Sequence, residues 1–218
     1  SEEYASREAT NLMMSTCDAC ISTGGAGRVK AAYSSGKPAF GVGQGNVQEI
    51  VDLGISDAEL ERQATLCVAH RAKDNGVPCA GAQTVHIHAQ QLEQWKGYMQ
   101  EHGAFLIDKD EDIAALRALV FPDGGTKLNR GEVEVLCREI LFPIVRYTVY
   151  EKFEDAVDRA VANLEVEGAG HTSTLWTTND DHVEYAAKRI PVGRFHINQP
   201  TMGGRIPIIT SITIGCGT

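Results

Sequence analysis

The sequence lacks any long hydrophobic run, and no apolar stretch reaches the roughly 18 residues that a membrane-spanning helix needs. It also lacks an excess of positive charge, because 20 Lys and Arg stand against 29 Asp and Glu and give a net charge of −9. This balance disfavours a nucleic-acid partner or an acidic membrane surface. The opening SEEYASREAT has neither the basic start nor the apolar core of a signal peptide. We therefore expect a cytoplasmic protein without membrane or nucleic-acid partners.

Internal repeats, low-complexity tracts and linkers are also missing, so 218 residues predict one or two compact domains. Of the six cysteines, Cys17 and Cys20 form a CxxC motif, but no second pair follows at zinc-finger spacing. Cys20 falls in a predicted buried strand. We therefore expect single buried or reactive thiols and no metal site.

Helical and extended segments alternate along the chain. The predicted strands lie near 19–22, 39–42, 83–88, 104–107, 132–136, 144–149, 172–177 and 193–198. The predicted helices span 2–14, 26–35, 89–102, 110–120, 153–164 and 179–190, and a capping box of Ser56 and Glu59 opens one more, which runs to about Lys73. This alternation predicts an α/β fold with a mostly parallel sheet.

Three groups of residues are candidates for chemistry. The turn Thr23-Gly24-Gly25-Ala26-Gly27, between a strand and a helix, can turn free amides towards a phosphate or a nicotinamide. It lacks the usual dinucleotide-binding spacing, so a simple tight corner stays open as the alternative. Cys79, in the loop DNGVPCAG, has the access that a nucleophilic thiol needs, with a small buried residue as the alternative. His171 follows a glycine turn, and as an isolated histidine it is more often structural.

His86 and His88 share one face of a predicted strand. No carboxylate accompanies them on that strand, so we expect solvated surface residues rather than metal ligands.

Five strings together, ACISTGGAGRVKAAYSSGKPAFGVGQGN, DNGVPCAGAQTV, EGAGHTSTLW, RFHINQP and SITIGCG, resemble the CoA-acylating aldehyde dehydrogenases. That group includes the aldehyde half of the bifunctional aldehyde–alcohol dehydrogenases, and the resemblance is greatest to the succinate-semialdehyde and related small-aldehyde enzymes. It implies an aldehyde-dehydrogenase-like catalytic domain with a parallel sheet, plus a remnant of a Rossmann-type cofactor-binding domain. The implied boundaries are 1–45 for part of the cofactor-binding domain, 46–190 for the catalytic domain and 191–218 for a segment returning to the first.

The resemblance also implies residue roles. Cys79 would attack the aldehyde, and the resulting thiohemiacetal would pass hydride to NAD or NADP and become a thioester that coenzyme A takes up. His171 would assist the transfer to coenzyme A. The cofactor-binding residues would be Thr23, Gly24, Gly25, Gly43 and, for the nicotinamide ribose, Glu139. In hydrolytic relatives a glutamate that activates water stands where this chain has Val42, so the resemblance favours acylation over hydrolysis.

Family members are more than twice as long, so we expect that these 218 residues do not complete the reaction unaided. The family implies a homo-oligomer in the cytoplasm, with a bacterial microcompartment as an alternative location. The aldehyde is left open. Succinate semialdehyde or sulfoacetaldehyde would need a cation such as Arg194 or Arg205, whereas acetaldehyde or butyraldehyde would not.

Two further hypotheses belong to other functional classes. Cys79 and His171, with Asn198, would form a Cys–His hydrolase that needs no nicotinamide. Alternatively, the chain is a non-catalytic fragment that serves only in assembly.

Overall fold

Two parallel sheets form the framework of the protein, whose computed structural model describes residues 6–120 and 138–202. The smaller sheet pairs β1 (Cys20–Thr23) with β2 (Ala39–Val42). The larger sheet has five strands in the order β5-β4-β3-β6-β7, all parallel to their neighbours. These are β3 (Gln48–Val51), β4 (Thr84–His88), β5 (Arg146–Tyr150), β6 (Thr172–Trp176) and β7 (Arg194–Ile197). The predicted α/β class is confirmed.

The described residues form seven α-helices, of which α1 precedes β1 and the others lie between strands: α1 (Arg7–Thr16), α2 (Ala26–Tyr33), α3 (Asp57–Ala72), α4 (Leu92–Glu101), α5 (Asp110–Val120), α6 (Phe153–Val166) and α7 (Asp180–Ala187). The Ser56 half of the predicted capping box is confirmed, since Ser56 Oγ accepts a hydrogen bond of 3.2 Å from the Glu59 amide, whereas the Glu59 carboxylate accepts from Arg62 Nη1 at 2.9 Å. Asn179 caps α7 in the same way, with its side chain accepting from the amides of Asp181 and His182.

The five-stranded sheet is covered on both faces. One face packs on α3 and α4 through a cluster that includes Val51, Leu60, Val85, Trp95 and Trp176. The other face packs on α6 and α7 through a cluster that includes Ile50, Phe153, Val157, Leu164 and Leu175. Because the side chains of a strand point alternately to its two faces, neighbouring residues of β3 serve opposite clusters.

Three predictions about the strands need correction or qualification. Residues 104–107 form no strand, and their backbone is irregular. Strand β3, the central strand of the sheet, was not predicted, because Gln48 and Glu49 interrupt its apolar pattern. The predicted strand at 132–136 lies outside the described residues.

The prediction that His86 and His88 are solvated surface residues is wrong. His86 is fully buried, with Nδ1 2.7 Å from Thr148 Oγ1 and Nε2 3.0 Å from Gln48 Oε1. Burial lowers the pKa of His86 to about 3, so the ring is neutral. His88 is also buried, and its ring meets Tyr150 edge-on. Both histidines are therefore core residues.

In the described part of the chain, no helix is both long and apolar enough to span a membrane. No group of three or more His, Cys, Asp or Glu residues there is placed to hold a metal ion.

Candidate active site

The candidate site lies at the amino edge of the five-stranded sheet. Gly45 precedes β3, Cys79 precedes β4, Glu139 precedes β5 and His171 precedes β6. Because the strands are parallel, segments that enter them from the same end meet at one edge. The fold therefore brings together three of the predicted residues, Cys79, Glu139 and His171.

Gly45 is the point where these segments touch. A Cβ atom on Gly45 would overlap the carbonyl oxygen of Cys79 and stand 3.2 Å from Cε1 of His171. The Gly45 amide donates a hydrogen bond of 2.9 Å to Oε1 of Glu139. The site therefore has no room for a side chain at this position.

The loop that holds Cys79 begins with an unusual turn. Asp74 (φ 47°), Asn75 (φ 55°) and Gly76 (φ 76°) lie consecutively in the left-handed region, which Asn and Asp tolerate better than other non-glycine residues. A Cβ on Gly76 would overlap the main chain of Phe142, so the turn lies directly against the segment that follows Glu139. The two segments thus position each other.

The thiol of Cys79 is half-buried and lies among opposing charges. Burial and the nearby carboxyl of Glu139 raise the pKa of the Cys79 thiol. The backbone amides of Cys79 and Ala80 and the guanidinium of Arg194 act in the opposite direction and lower that pKa. Arg194 is held by hydrogen bonds to Thr172 Oγ1 (3.2 Å) and the Thr201 carbonyl (3.3 Å). Burial and the carboxyl outweigh the cation and the two N–H dipoles, so the pKa of this thiol is raised overall.

His171 lines the same site as a neutral ring. Its side chain is buried, and Nδ1 has no hydrogen-bond partner. Burial, together with the charge of Arg194, lowers the pKa of His171 to about 4. No hydrogen bond joins His171 to Cys79, although both lie in the described part of the chain. His171 is thus a neutral imidazole at neutral pH, with an unpartnered Nδ1.

The segment that bears Glu139 is fixed by residues to which sequence patterns assigned no role. The side-chain amide of Gln83 accepts from the Ile140 amide (3.0 Å) and donates to the Ile140 carbonyl (3.1 Å). Arg71, a buried residue of α3, donates to the same carbonyl and to that of Ile144 (2.9 Å). The Glu139 amide donates to Oε2 of Glu167 at 2.5 Å. Burial and the charge of Glu167 raise the pKa of Glu139, while the Gly45 amide lowers it.

The glycine turn lies at the carboxyl end of the small sheet. Thr23 ends β1 opposite Val42, the Gly24 amide donates to the Val42 carbonyl (3.1 Å), and Gly25 is the N-cap residue of α2. No side chain caps this helix, and added Cβ atoms on Gly25 and Gly43 would meet nothing within 4 Å. Uncapped amides beside open space fit an anionic group such as a dinucleotide phosphate. The turn lies beside Val42, the last residue of β2, and the chain continues from there through Gly43 to Gly45. This short segment therefore connects the turn to the Cys79 site.

The remaining candidates are placed elsewhere. Asn198 follows β7 at the opposite, carboxyl edge of the sheet, where its amide pairs with the main chain of Thr177. The triad of the alternative hydrolase hypothesis, Cys79, His171 and Asn198, therefore does not assemble. Arg205 lies outside the described residues. A buried arginine such as Arg71 gives no distinctive sequence signal, because most arginines are exposed.

No family model matches the sequence. The chain is 37% identical to the acetylating succinate-semialdehyde dehydrogenase of Clostridium kluyveri in an alignment 250 positions long. This alignment covers 99% of this chain and 54% of that relative. Its fold is similar to an acetylating aldehyde dehydrogenase from Geobacillus thermoglucosidasius (TM-score 0.79, 26% identity), over 97% of this chain and 54% of that one.

A second similar structure is a propionaldehyde dehydrogenase from Rhodopseudomonas palustris with bound propionyl-CoA (TM-score 0.75, 25% identity). That similarity covers 90% of this chain and 49% of the other. The chain thus spans about half the length of the relatives that it matches.

Proposed function

Because the chain belongs to the family of CoA-acylating aldehyde dehydrogenases, we propose that it contains the acyl-transfer centre of such an enzyme. The reaction is the oxidation of a short aldehyde to its acyl-CoA with NAD or NADP. The observation that supports this most directly is the convergence of Cys79, His171 and Glu139 around Gly45.

In this proposal Cys79 is the nucleophile. Burial and the Glu139 carboxyl raise the pKa of its thiol, two backbone amides and Arg194 counteract part of that rise, and the thiolate forms a bond to the aldehyde carbon. A bound nicotinamide cofactor supplies the hydride acceptor. Cys79 then holds the acyl group as a thioester. The sulfur of coenzyme A attacks the thioester carbonyl, and the Cys79 sulfur leaves as the thiolate. The neutral ring of His171, with its free Nδ1, is in the form that can accept the proton of the coenzyme A thiol.

The cofactor-binding part of the proposal uses the small sheet and Glu139. The uncapped start of α2, with Thr23, Gly24 and Gly25, would face a phosphate of NAD or NADP, and the open side of Gly43 leaves space beside it. Glu139 Oε2, the oxygen that the Gly45 amide does not bind, would accept a hydrogen bond from a hydroxyl of the nicotinamide ribose. Residues 1–45 would then belong to a cofactor-binding domain, residues 46–190 to the catalytic domain and residues 191–218 to a returning segment.

The substrate proposal rests on Arg194. Its guanidinium lies close enough to Cys79 to lower the pKa of the thiol, so a carboxylate or sulfonate on a short aldehyde would meet a positive charge there. We therefore place anionic aldehydes such as succinate semialdehyde and sulfoacetaldehyde ahead of acetaldehyde and butyraldehyde. A cytoplasmic homo-oligomer, free or within a microcompartment, completes the proposal.

The Cys–His hydrolase is less well supported. His171 makes no hydrogen bond to Cys79, and Asn198 lies at the other edge of the sheet. The assembly-only alternative predicts that Cys79 is no more reactive than an ordinary cysteine, which makes it directly testable.

The decisive experiment supplies the chain with short aldehydes, coenzyme A and NAD or NADP, and follows reduced cofactor and intact mass together. In a second tube, acyl-CoA alone should acylate Cys79, because that half-reaction uses only residues near the thiol. Cys79→Ala should abolish the acylation and any reduction of the cofactor, while Cys17→Ser, which alters an exposed cysteine, should behave like the unaltered chain in both measurements. Release of free acid without coenzyme A would instead support the hydrolase. Absence of acylation would leave assembly as the better explanation.

A further inference from the structure

Cys17 and Cys20 form a second thiol site, separate from the proposed acyl-transfer centre. Cys17 follows the last residue of α1, and Cys20 is the first residue of β1. Their sulfur atoms are 3.4 Å apart, and the Cys20 sulfur also lies 3.4 Å from the Met14 carbonyl. Two thiols therefore share one small polar environment at the junction of a helix and a strand.

The backbone already holds this junction in place. The Cys17 amide donates to the Met13 carbonyl (3.0 Å), which ends the helix, and the Cys20 amide donates to the Pro38 carbonyl (2.8 Å), which starts the pairing with β2. Because both main chains are hydrogen-bonded, the sulfur atoms are held close by the fold. A shift of little more than about 1 Å would bring them to the bonding distance of a disulfide.

The two thiols differ in access. Cys17 is exposed, whereas Cys20 is buried with 6% of its surface accessible. Cys17 is therefore placed as the attacking thiol, which an oxidant can reach. Cys20 is placed as the resolving thiol, which is shielded from solvent but in contact with Cys17.

We propose that Cys17 and Cys20 are an oxidation site, at which a small disulfide such as oxidised glutathione converts the two thiols into an intrachain disulfide. The Cys17 thiolate attacks one sulfur of oxidised glutathione, forms a mixed disulfide and releases one glutathione thiolate. Cys20 loses its proton to solvent and attacks the Cys17 sulfur, and the second glutathione leaves. The chain loses two protons and two electrons, and one oxidised glutathione becomes two reduced molecules.

The position of Cys17 affects how this exchange proceeds. Hydrogen bonding to the Cys20 thiol raises the pKa of Cys17. The thiolate is therefore a minor species at neutral pH, and the exchange should accelerate as the pH rises. The disulfide would tie the end of α1 to the strand that ends at Thr23, the first residue of the proposed cofactor turn.

The proposal is tested on the whole chain with buffers of increasing oxidised-to-reduced glutathione ratio, followed by acid quenching, N-ethylmaleimide and trypsin. Arg7 and Arg28 bracket both cysteines without an intervening Lys or Arg, so they fall in the single peptide 8–28. We expect this peptide to lose two hydrogen atoms and both N-ethylmaleimide labels. The midpoint should lie at a less oxidising ratio for the folded chain than for the chain in urea, because folding brings the sulfurs together.

Two variants establish the order of the steps. Cys20→Ser should accumulate one glutathione on Cys17, and Cys17→Ser should leave Cys20 slow to react because it is buried. Cys79→Ala should leave the oxidation of peptide 8–28 unchanged, which separates this proposal from the function of Cys79. Stable glutathione on Cys17 in the unaltered chain, a disulfide to another cysteine, or easier oxidation in urea than in the folded chain would each overturn the proposal.

Discussion

At the carboxyl edge of the five-stranded sheet, polar side chains bind one another, whereas at the amino edge several are left without partners. Asp52, after β3, accepts hydrogen bonds from the Leu53 amide (2.9 Å) and Thr177 Oγ1 (2.6 Å), and its other contact is His182 Nδ1 at 2.6 Å. At the amino edge, His171 Nδ1 and Arg71 Nη1 are buried with no hydrogen-bond partner. The network around Asp52 thus has its polar groups satisfied, whereas the surroundings of Cys79 contain buried nitrogen atoms without partners.

The position of the open edge is unexpected for this architecture. Ligands of open parallel sheets usually bind at the carboxyl edge, where the strand order reverses. Here β3 and β6 meet at that point, and Asp52 and Thr177 close it, with the rings of Phe153 and His182 stacked 3.9 Å apart beside them. The candidate site therefore lies at the edge opposite to the one that the topological rule indicates.

Gly45→Ala should have the largest effect on the amino edge. The added methyl group would overlap the Cys79 carbonyl and displace the thiol, and a displacement of about 1 Å costs on the order of a hundredfold in rate. We expect a loss of that size in the acylation of Cys79 by acyl-CoA, followed by intact mass. Gly97→Ala, in α4 with open space around its Cβ position, is the matched control and should react normally. Equal rates in the two variants would show that Gly45 does not position Cys79.

Asp52→Ala tests the carboxyl edge. It removes three hydrogen bonds from a buried network, so the free energy of unfolding in urea should fall by about 2 to 3 kcal/mol. The alkylation rate of Cys79 should not change, because Asp52 and Cys79 lie at opposite ends of the parallel strands. Glu184→Ala breaks only an exposed ion pair with Lys188 and should cost less than about 0.5 kcal/mol. A large loss of Cys79 reactivity in Asp52→Ala would mean that the edges are coupled.

Glu139→Gln should separate cofactor binding from thiol chemistry. Gln can still accept from the Gly45 amide but has no charge, so the KM for NAD or NADP should rise about tenfold. Because the Glu139 carboxyl raises the pKa of Cys79, its loss should shift the alkylation profile of Cys79 to lower pH. An unchanged KM together with an unchanged pH profile of Cys79 alkylation would show that Glu139 neither binds the cofactor nor affects the thiol.

Arg194→Met should produce the smallest effect, with the opposite sign. Loss of the guanidinium removes a charge that lowers the pKa of Cys79, so alkylation at a fixed pH below that pKa should slow by a few-fold. Arg194→Lys, which keeps the charge, should recover most of the rate. If anionic and neutral aldehydes lose activity equally in Arg194→Met, the guanidinium acts on the thiol and does not select the substrate.

Most of the fold could be predicted from local sequence patterns, because caps, glycine turns and apolar periodicity act within a few residues. Strand β3 could not, since its first two residues are polar yet buried. Gln48 is satisfied by His86, and Glu49 accepts a hydrogen bond of 2.6 Å from Trp176 Nε1. Burial raises the pKa of Glu49 to about 7. Such partners exist only after folding, so the polar letters of β3 suggest a loop.

The same limit applies to the candidate site. Cys79, His171 and Glu139 were predicted through the family resemblance, and the structure brings them together, although their roles stay predictions. Gly45 and Gln83 were not assigned a role, because one is defined by the absence of space and the other by a contact between residues far apart in the chain.

Ile140 lies in no strand, yet both of its main-chain groups bind the side-chain amide of Gln83. Its amide hydrogen can exchange with solvent only when that side chain moves away. Hydrogen exchange at this one N–H would therefore report how often the segment that bears Glu139 opens, without requiring the sheet itself to unfold. The side chain of Gln83 thus holds the main chain of Ile140 with the same pair of hydrogen bonds that a neighbouring strand would supply.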